Sequence, residues 1–251
     1  MQLLIEIKHL LYLLCGPFGR RRRMKYSECV SALMGDTVYI VHRQLERIPT
    51  IPGDAKTVDL RRNNISRMAL NRAELVEYLD LSDNRIKVIS DLENLPRLKV
   101  LDLSYNLISD ISIPRMGIEE LYLISNDISA IHGLDLPRIK KLDMAVNDIC
   151  RIENLESCIA LEELYLGSNR IRIVEGLERL TSLRVLDLQN NEIEAVDCSM
   201  IPSSVEVLLL GENRDLRALE NIEHLPRLRI LGLEKTSISE GIARDGLTVW
   251  R

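Results

Sequence analysis

The sequence predicts an α/β solenoid: a right-handed, horseshoe-shaped coil with short parallel strands on its concave face and 3₁₀ or turn segments on its convex face. Three observations carry that expectation. The pattern L-x-x-L-x-L-x-x-N-x-I, clearest in Leu161–Val174 (LEELYLGSNRIRIV), recurs along most of the 251 residues. Its asparagines, Asn63, Asn84, Asn106, Asn126, Asn147, Asn169, Asn191 and Asn213, follow one another at steps of 20 to 22 residues. The segments between repeats are short and hold Pro96, Pro137 and Pro226, which favours turns or 3₁₀ over long helices.

Strand side chains alternate between faces. Leu164 and Leu166 therefore point into the coil and Tyr165 points out, while Leu161, Ile171 and Val174 fill the interior from the flanking bends. Asn169 stands where the chain leaves the strand. A bend inside a packed coil strands backbone N–H and C=O groups that need partners, and a carboxamide supplies both donors and an acceptor. The eight asparagines are thus expected to form a structural ladder, with Thr236 in the same place in a final turn and Arg43 in a degenerate first one. This spelling and period are those of the leucine-rich repeat, whose turns touch only their neighbours.

Taken in order, residues 1–23 fall outside the repeat and read as a tail. Leu10–Leu14 and its neighbours are too short an apolar run to span a bilayer, and the flanks do not fit a secretory signal. Arg20–Arg23 is a basic cluster of the kind that serves as a nuclear address, and Met24 is an alternative start. Residues 24–57 read as an N-terminal cap and degenerate first repeat, with a short helix expected over Tyr26–Met34 and a turn built on Val38, Ile40, Leu45 and Ile48. Residues 58–238 are the repeats proper, interrupted by one extra residue before Leu216. Residues 239–251 are expected as a short C-terminal cap, one helical turn laying Ile242, Leu247 and Trp250 on the last strand.

A net charge of −5 argues against a general affinity for nucleic acid. The five cysteines include no C-x-x-C pair, so neither a disulfide framework nor a zinc site is expected, and a reducing cytoplasmic or nuclear compartment fits best. The four histidines are scattered, and no phosphate-binding, nucleophile or metalloprotease motif occurs. No catalytic residue, metal or cofactor is therefore expected. What remains is the concave wall that such coils use to hold partners. Between the strand leucines it reads Asp59, Asp80, Asp102, Tyr122, Asp143, Tyr165, Asp187, Leu209, Gly232. Two residues earlier it reads Thr57, Tyr78, Val100, Glu120, Lys141, Glu163, Val185, Val207, Ile230. The expected partner-binding set is Asp80, Asp102, Tyr122, Asp143, Tyr165 and Asp187 with the apolar Val207, Leu209 and Ile230. Asp at this place is common in such repeats as a solvated residue; tyrosine carries more information in a chain that is 4% aromatic.

The period and phrases such as NLPRLKVLDLSYNLISDI and LEELYLGSNRIRIVEGLERLTSLRVLDLQNNEI resemble the leucine-rich regulatory subunits of protein phosphatase 1, over residues 58–238. The resemblance implies a non-catalytic subunit, monomeric when free, that holds a phosphatase catalytic subunit along its concave face. Acidic and aromatic residues between the strand leucines would carry the binding, here Asp80, Asp102, Tyr122, Asp143, Tyr165 and Asp187. Leu209 and Gly232 stand where that family has aromatic residues. Two other readings share the repeat: a scaffold in a ribonucleoprotein or cytoskeletal complex, and a secreted or surface recognition protein.

Overall fold

The computed structural model describes residues 33–239, 242 and 245–251, and residues 32–251 make one compact unit. The expectations for the 1–23 tail, and for most of the Tyr26–Met34 helix, lie outside the described residues. In chain order the strands are β1 (Leu33–Met34), β2 (Thr37–Tyr39), β3 (Thr57–Asp59), β4 (Tyr78–Asp80), β5 (Val100–Asp102), β6 (Glu120–Tyr122), β7 (Lys141–Asp143), β8 (Glu163–Tyr165) and β9 (Val185–Asp187). They continue with β10 (Ala195–Asp197), β11 (Val207–Leu209), β12 (Ala218–Glu220), β13 (Ile230–Gly232) and β14 (Thr248–Trp250).

Twelve of these strands form one sheet that runs in sequence order and skips only β10 and β12, which pair with each other in a separate two-stranded parallel sheet. Each repeat places one residue per column. Tyr78 pairs with Val100, then come Glu120, Lys141, Glu163, Val185, Val207 and Ile230. Two residues on, Asp80, Asp102, Tyr122, Asp143, Tyr165, Asp187, Leu209 and Gly232 stand side by side. The residue between the columns, such as Leu79, Leu101, Leu121, Leu142, Leu164 or Leu186, is fully buried. Alternation thus puts one hydrophobic layer inside and two columns outside.

The bends are closed by two devices. The residue before each ladder asparagine has a left-handed backbone, from Arg62 (φ 58) and Asp83 (φ 53) through Ser168 (φ 58) to Glu212 (φ 62). The asparagine then clasps the backbone of its own turn and of the one before. Asn169 accepts from Ile149 N–H (2.9 Å) and donates to Met144 O (3.1 Å) and Leu166 O (3.0 Å). Asn191 donates to the same Leu166 O (3.0 Å), so one carbonyl is shared by two amides. The ladder therefore runs through backbone carbonyls and not through direct amide–amide bonds.

Return segments carry 3₁₀ turns at Leu92–Asn94, Cys198–Met200 and Ile222–His224, and the described residues include no α-helix. Gly176 (φ +72) begins a return segment without a 3₁₀ turn; a Cβ there would lie 2.4 Å from Ile152 O in the previous turn. The extra residue before Leu216 leads into β12, which lies along β10.

Both ends differ from expectation. Leu33–Met34 is not helical but pairs antiparallel with β2 across Gly35 (φ +65). At the other end Thr248–Trp250 is a parallel strand and not part of a helical turn: Leu233 N–H donates to Trp250 O (2.8 Å) and Thr248 N–H to Arg229 O (2.8 Å). The reason is the same at each end. The last strand of a stack exposes a row of unpaired N–H and C=O groups, and another strand satisfies them where a helical turn, bonded within itself, would not.

Candidate functional site

The outward columns of β3 to β13 form one continuous wall, and the physical state of its residues changes along it. Every aspartate of the column closes its own bend, because its Oδ1 accepts the backbone N–H two residues on: 2.9 Å from Ser82 to Asp80, 2.9 Å from Ser104 to Asp102, 3.1 Å from Ala145 to Asp143 and 2.9 Å from Gln189 to Asp187. Asp80 is only 2% exposed, also accepts from Ser82 Oγ (2.6 Å) and faces Arg61 (3.8 Å). Its carboxylate serves the bend and offers little to a partner, although the sequence pattern groups it with the binding set.

Asp102, Asp143 and Asp187 are half-buried, and among the described residues no Lys or Arg forms an ion pair with them. Burial raises the carboxyls of Asp102 and Asp143 above the ordinary aspartate range, and raises Asp59 in the same way. An approaching cation would recover that lost solvation.

The centre is a cluster that column positions alone do not disclose. Tyr122 donates its hydroxyl to Glu120 (2.6 Å) and Tyr165 donates to Glu163 (3.0 Å). Lys141, on the strand between them, places Nζ 5.6 Å from the Tyr122 ring centroid and 5.1 Å from that of Tyr165, and 3.3 Å from the Glu163 carboxylate. The ammonium thus sits against two aromatic faces. Burial, then Glu163, pushes the Tyr165 hydroxyl up to about 12, and burial with Glu120 raises Tyr122 further. Both stay protonated donors. Lys141 was absent from the sequence-derived binding set; the signal was its place in a Glu120–Lys141–Glu163 run beside two tyrosines.

Toward the C-terminal end Val185, Val207, Leu209 and Ile230 stand on adjacent strands, all half-buried. Leu209 lies over Gly232, where an added Cβ would come within 3.1 Å of Leu209 Cδ2. Beyond Gly232 the column ends in Trp250, 46% exposed, and before Asp59 it begins with Tyr39, 42% exposed. Tyr39 could have been found from the Val38–Ile40 alternation. Trp250 could not, because no repeat spelling surrounds it. Among the described residues no His, Cys, Asp and Glu side chains group to hold a metal ion, and no helix is long and apolar enough to cross a membrane.

Residues 75–115 and 159–199 match the family model for leucine-rich repeats in two copies. The chain is a leucine-rich repeat solenoid. Among solved structures, a chain of the LRIM1/APL1C complex superimposes with a TM-score of 0.67 at 21% identity, over 90% of this chain and 48% of that one. The repeats are similar to the Protein phosphatase 1 regulatory inhibitor subunit PPP1R7 homolog of Arabidopsis thaliana, at 32% identity over 146 residues, 54% of this chain and 44% of that protein. They are also similar to osteomodulin of Bos taurus, at 26% identity over 241 residues, 90% of this chain and 52% of that protein. The chain spans about half the length of these two curated relatives.

Proposed function

We propose that this leucine-rich repeat chain is a non-catalytic regulatory subunit, cytoplasmic or nuclear, that holds a protein phosphatase 1-type catalytic subunit against its concave face. The observation that carries the reading is the central wall itself. Asp102, Asp143 and Asp187 are partly desolvated and lack ion pairs among the described residues, and they alternate with Tyr122 and Tyr165 around Lys141. Such a wall favours a partner that brings basic side chains to the aspartates and apolar surface to the tyrosine rings and the Leu209 patch. The similarity to a phosphatase 1 regulatory subunit homolog supports that choice of partner.

The test is capture of a phosphatase 1 catalytic subunit by the full chain and by the Asp102→Lys/Asp143→Lys/Asp187→Lys variant. Capture by the native chain and its loss in the variant are expected. Equal capture by both would refute the binding face, and recovery of a ribonucleoprotein or tubulin in place of the phosphatase from a cell extract would refute the partner.

A further inference from the structure

The two edges of the wall differ. Upstream of the strands, successive turns carry Lys56, Glu77, Lys99, Glu119, Lys140, Glu162, Arg184, Glu206 and Arg229, an alternation of sign. Neighbours along it pair: Lys99 with Glu77 (2.8 Å), Lys140 with Glu119 (2.8 Å) and Arg184 with Glu206 (3.2 Å). Six of its nine charged residues are thus paired along the edge. It has little left for a partner.

Downstream, where the strands run into the bends, the turns of Asn106, Asn126 and Asn147 are different. Tyr105 is 58% exposed, Val146 50% and Leu107 42%. Tyr105 donates its N–H to Ile124 O (2.7 Å), and Ser125 donates to Ala145 O (3.0 Å), so Tyr105, Ser125 and Val146 occupy one position on three successive turns. That position is left-handed (φ 56 for Tyr105, φ 58 for Val146), and other turns fill it with polar or charged residues, Arg62, Asp83, Ser168, Asn190 and Glu212. A β-branched residue is an outlier in this region of backbone space. The fold gains little from these side chains in return, since they stay in water. Asp102 and Asp127 lie beside them, neither in an ion pair among the described residues, and Arg85 holds the place of Leu107 one turn earlier.

We propose that the binding footprint extends from the aspartate column over this downstream edge, where Tyr105, Leu107 and Val146 receive a protein segment presenting Arg or Lys beside an apolar side chain. Charge selects the occupant: Asp102 and Asp127, with Asp143 of the adjoining column, outweigh Arg85, favour a basic segment and oppose an acidic peptide, a phosphate backbone or an anionic lipid surface. The adjoining apolar side chains supply the contact that an acidic strip alone would lack. The proposal rests on reading the wall as a protein-binding face, but not on the partner being a phosphatase.

The test uses the full chain on an array of peptides that combine Arg or Lys with Leu, Phe or Trp, beside counterparts with Glu in place of the basic residues. The native chain is expected to retain the basic–apolar set and not the acidic one. The Tyr105→Asn/Val146→Asn variant, whose asparagines suit the left-handed bend, should melt no lower than the native chain and bind at least roughly tenfold more weakly, as loss of exposed anchors does. The Glu77→Lys/Lys99→Glu swap on the upstream edge should bind like the native chain. Equal capture of acidic peptides, undiminished binding by the double variant, or a lower melting temperature for it would overturn the proposal. The same double variant in the phosphatase capture separates the two ideas. Full capture by it, with loss in the aspartate variant, removes the downstream edge alone; peptide binding without any phosphatase capture removes the phosphatase alone.

Discussion

The shared carbonyls of the asparagine ladder make a quantitative prediction about coupling. Asn147 accepts Ile128 N–H (3.1 Å) and donates to Leu123 O (2.9 Å) and Met144 O (3.0 Å). Leu123 O also receives Asn126 (3.1 Å), and Met144 O also receives Asn169 (3.1 Å). Asn147→Ala therefore orphans one buried N–H but leaves each carbonyl one amide donor. An orphaned buried donor costs about 1–3 kcal/mol, and the two lost carbonyl bonds add roughly 1 kcal/mol each, for a total of about 3–5 kcal/mol. Asn169→Ala should cost about the same by the same count. In the double variant Met144 O loses both amides, so the pair should be worse than additive by about 1 kcal/mol or more. Asn84 and Asn191 share no acceptor, and their double variant should be additive within roughly 0.5 kcal/mol. Urea unfolding of the four single variants and two doubles measures both cycles. If the neighbouring pair proves as additive as the distant one, the carbonyls do not couple the turns and the ladder is eight independent caps.

Two further outcomes follow from the same geometry. Burial raises the Asp59, Asp102 and Asp143 carboxyls in the fold, so the folded chain holds more protons than the unfolded one between the ordinary aspartate value and the raised ones. Their effect is then to lower stability as pH rises through that window and to return it as pH falls back. Asp102→Asn/Asp143→Asn should raise the melting temperature at neutral pH, with the gain vanishing below about pH 3.9; a native chain that is the more stable at neutral pH would contradict this. Gly176→Ala places a Cβ against Ile152 O at a left-handed φ, and a loss of more than about 1 kcal/mol in urea unfolding is expected, whereas an unchanged midpoint would mean that the return segment shifts freely.

Much of this protein was legible because its architecture is written once per turn. The period of the asparagines sets the rise from strand to strand, and the leucines around Tyr165 set which side faces in. Any outward residue can then be assigned to a column by counting, which is why Asp102, Tyr122, Asp143, Tyr165, Asp187 and Leu209 fall on adjacent strands. The ends were not legible, because a terminal turn answers to the unpaired edge of its neighbour and not to a repeat. Leu33–Met34 and Thr248–Trp250 accordingly became strands.

Sequence by itself determined the coil, its inward layer and the order of residues along its wall, since each follows from spacing within one turn and contact with the next. Only the tertiary structure decided the condition of those residues. Asp80 is covered and bonded to Ser82, whereas Asp102 and Asp143 stand partly desolvated without an ion pair among the described residues. Lys141 lies against two tyrosine rings, and Tyr105 and Val146 stand exposed on left-handed bends. These differences depend on side chains from three or more turns meeting in space, and a column position that looks the same in every repeat carries no trace of them.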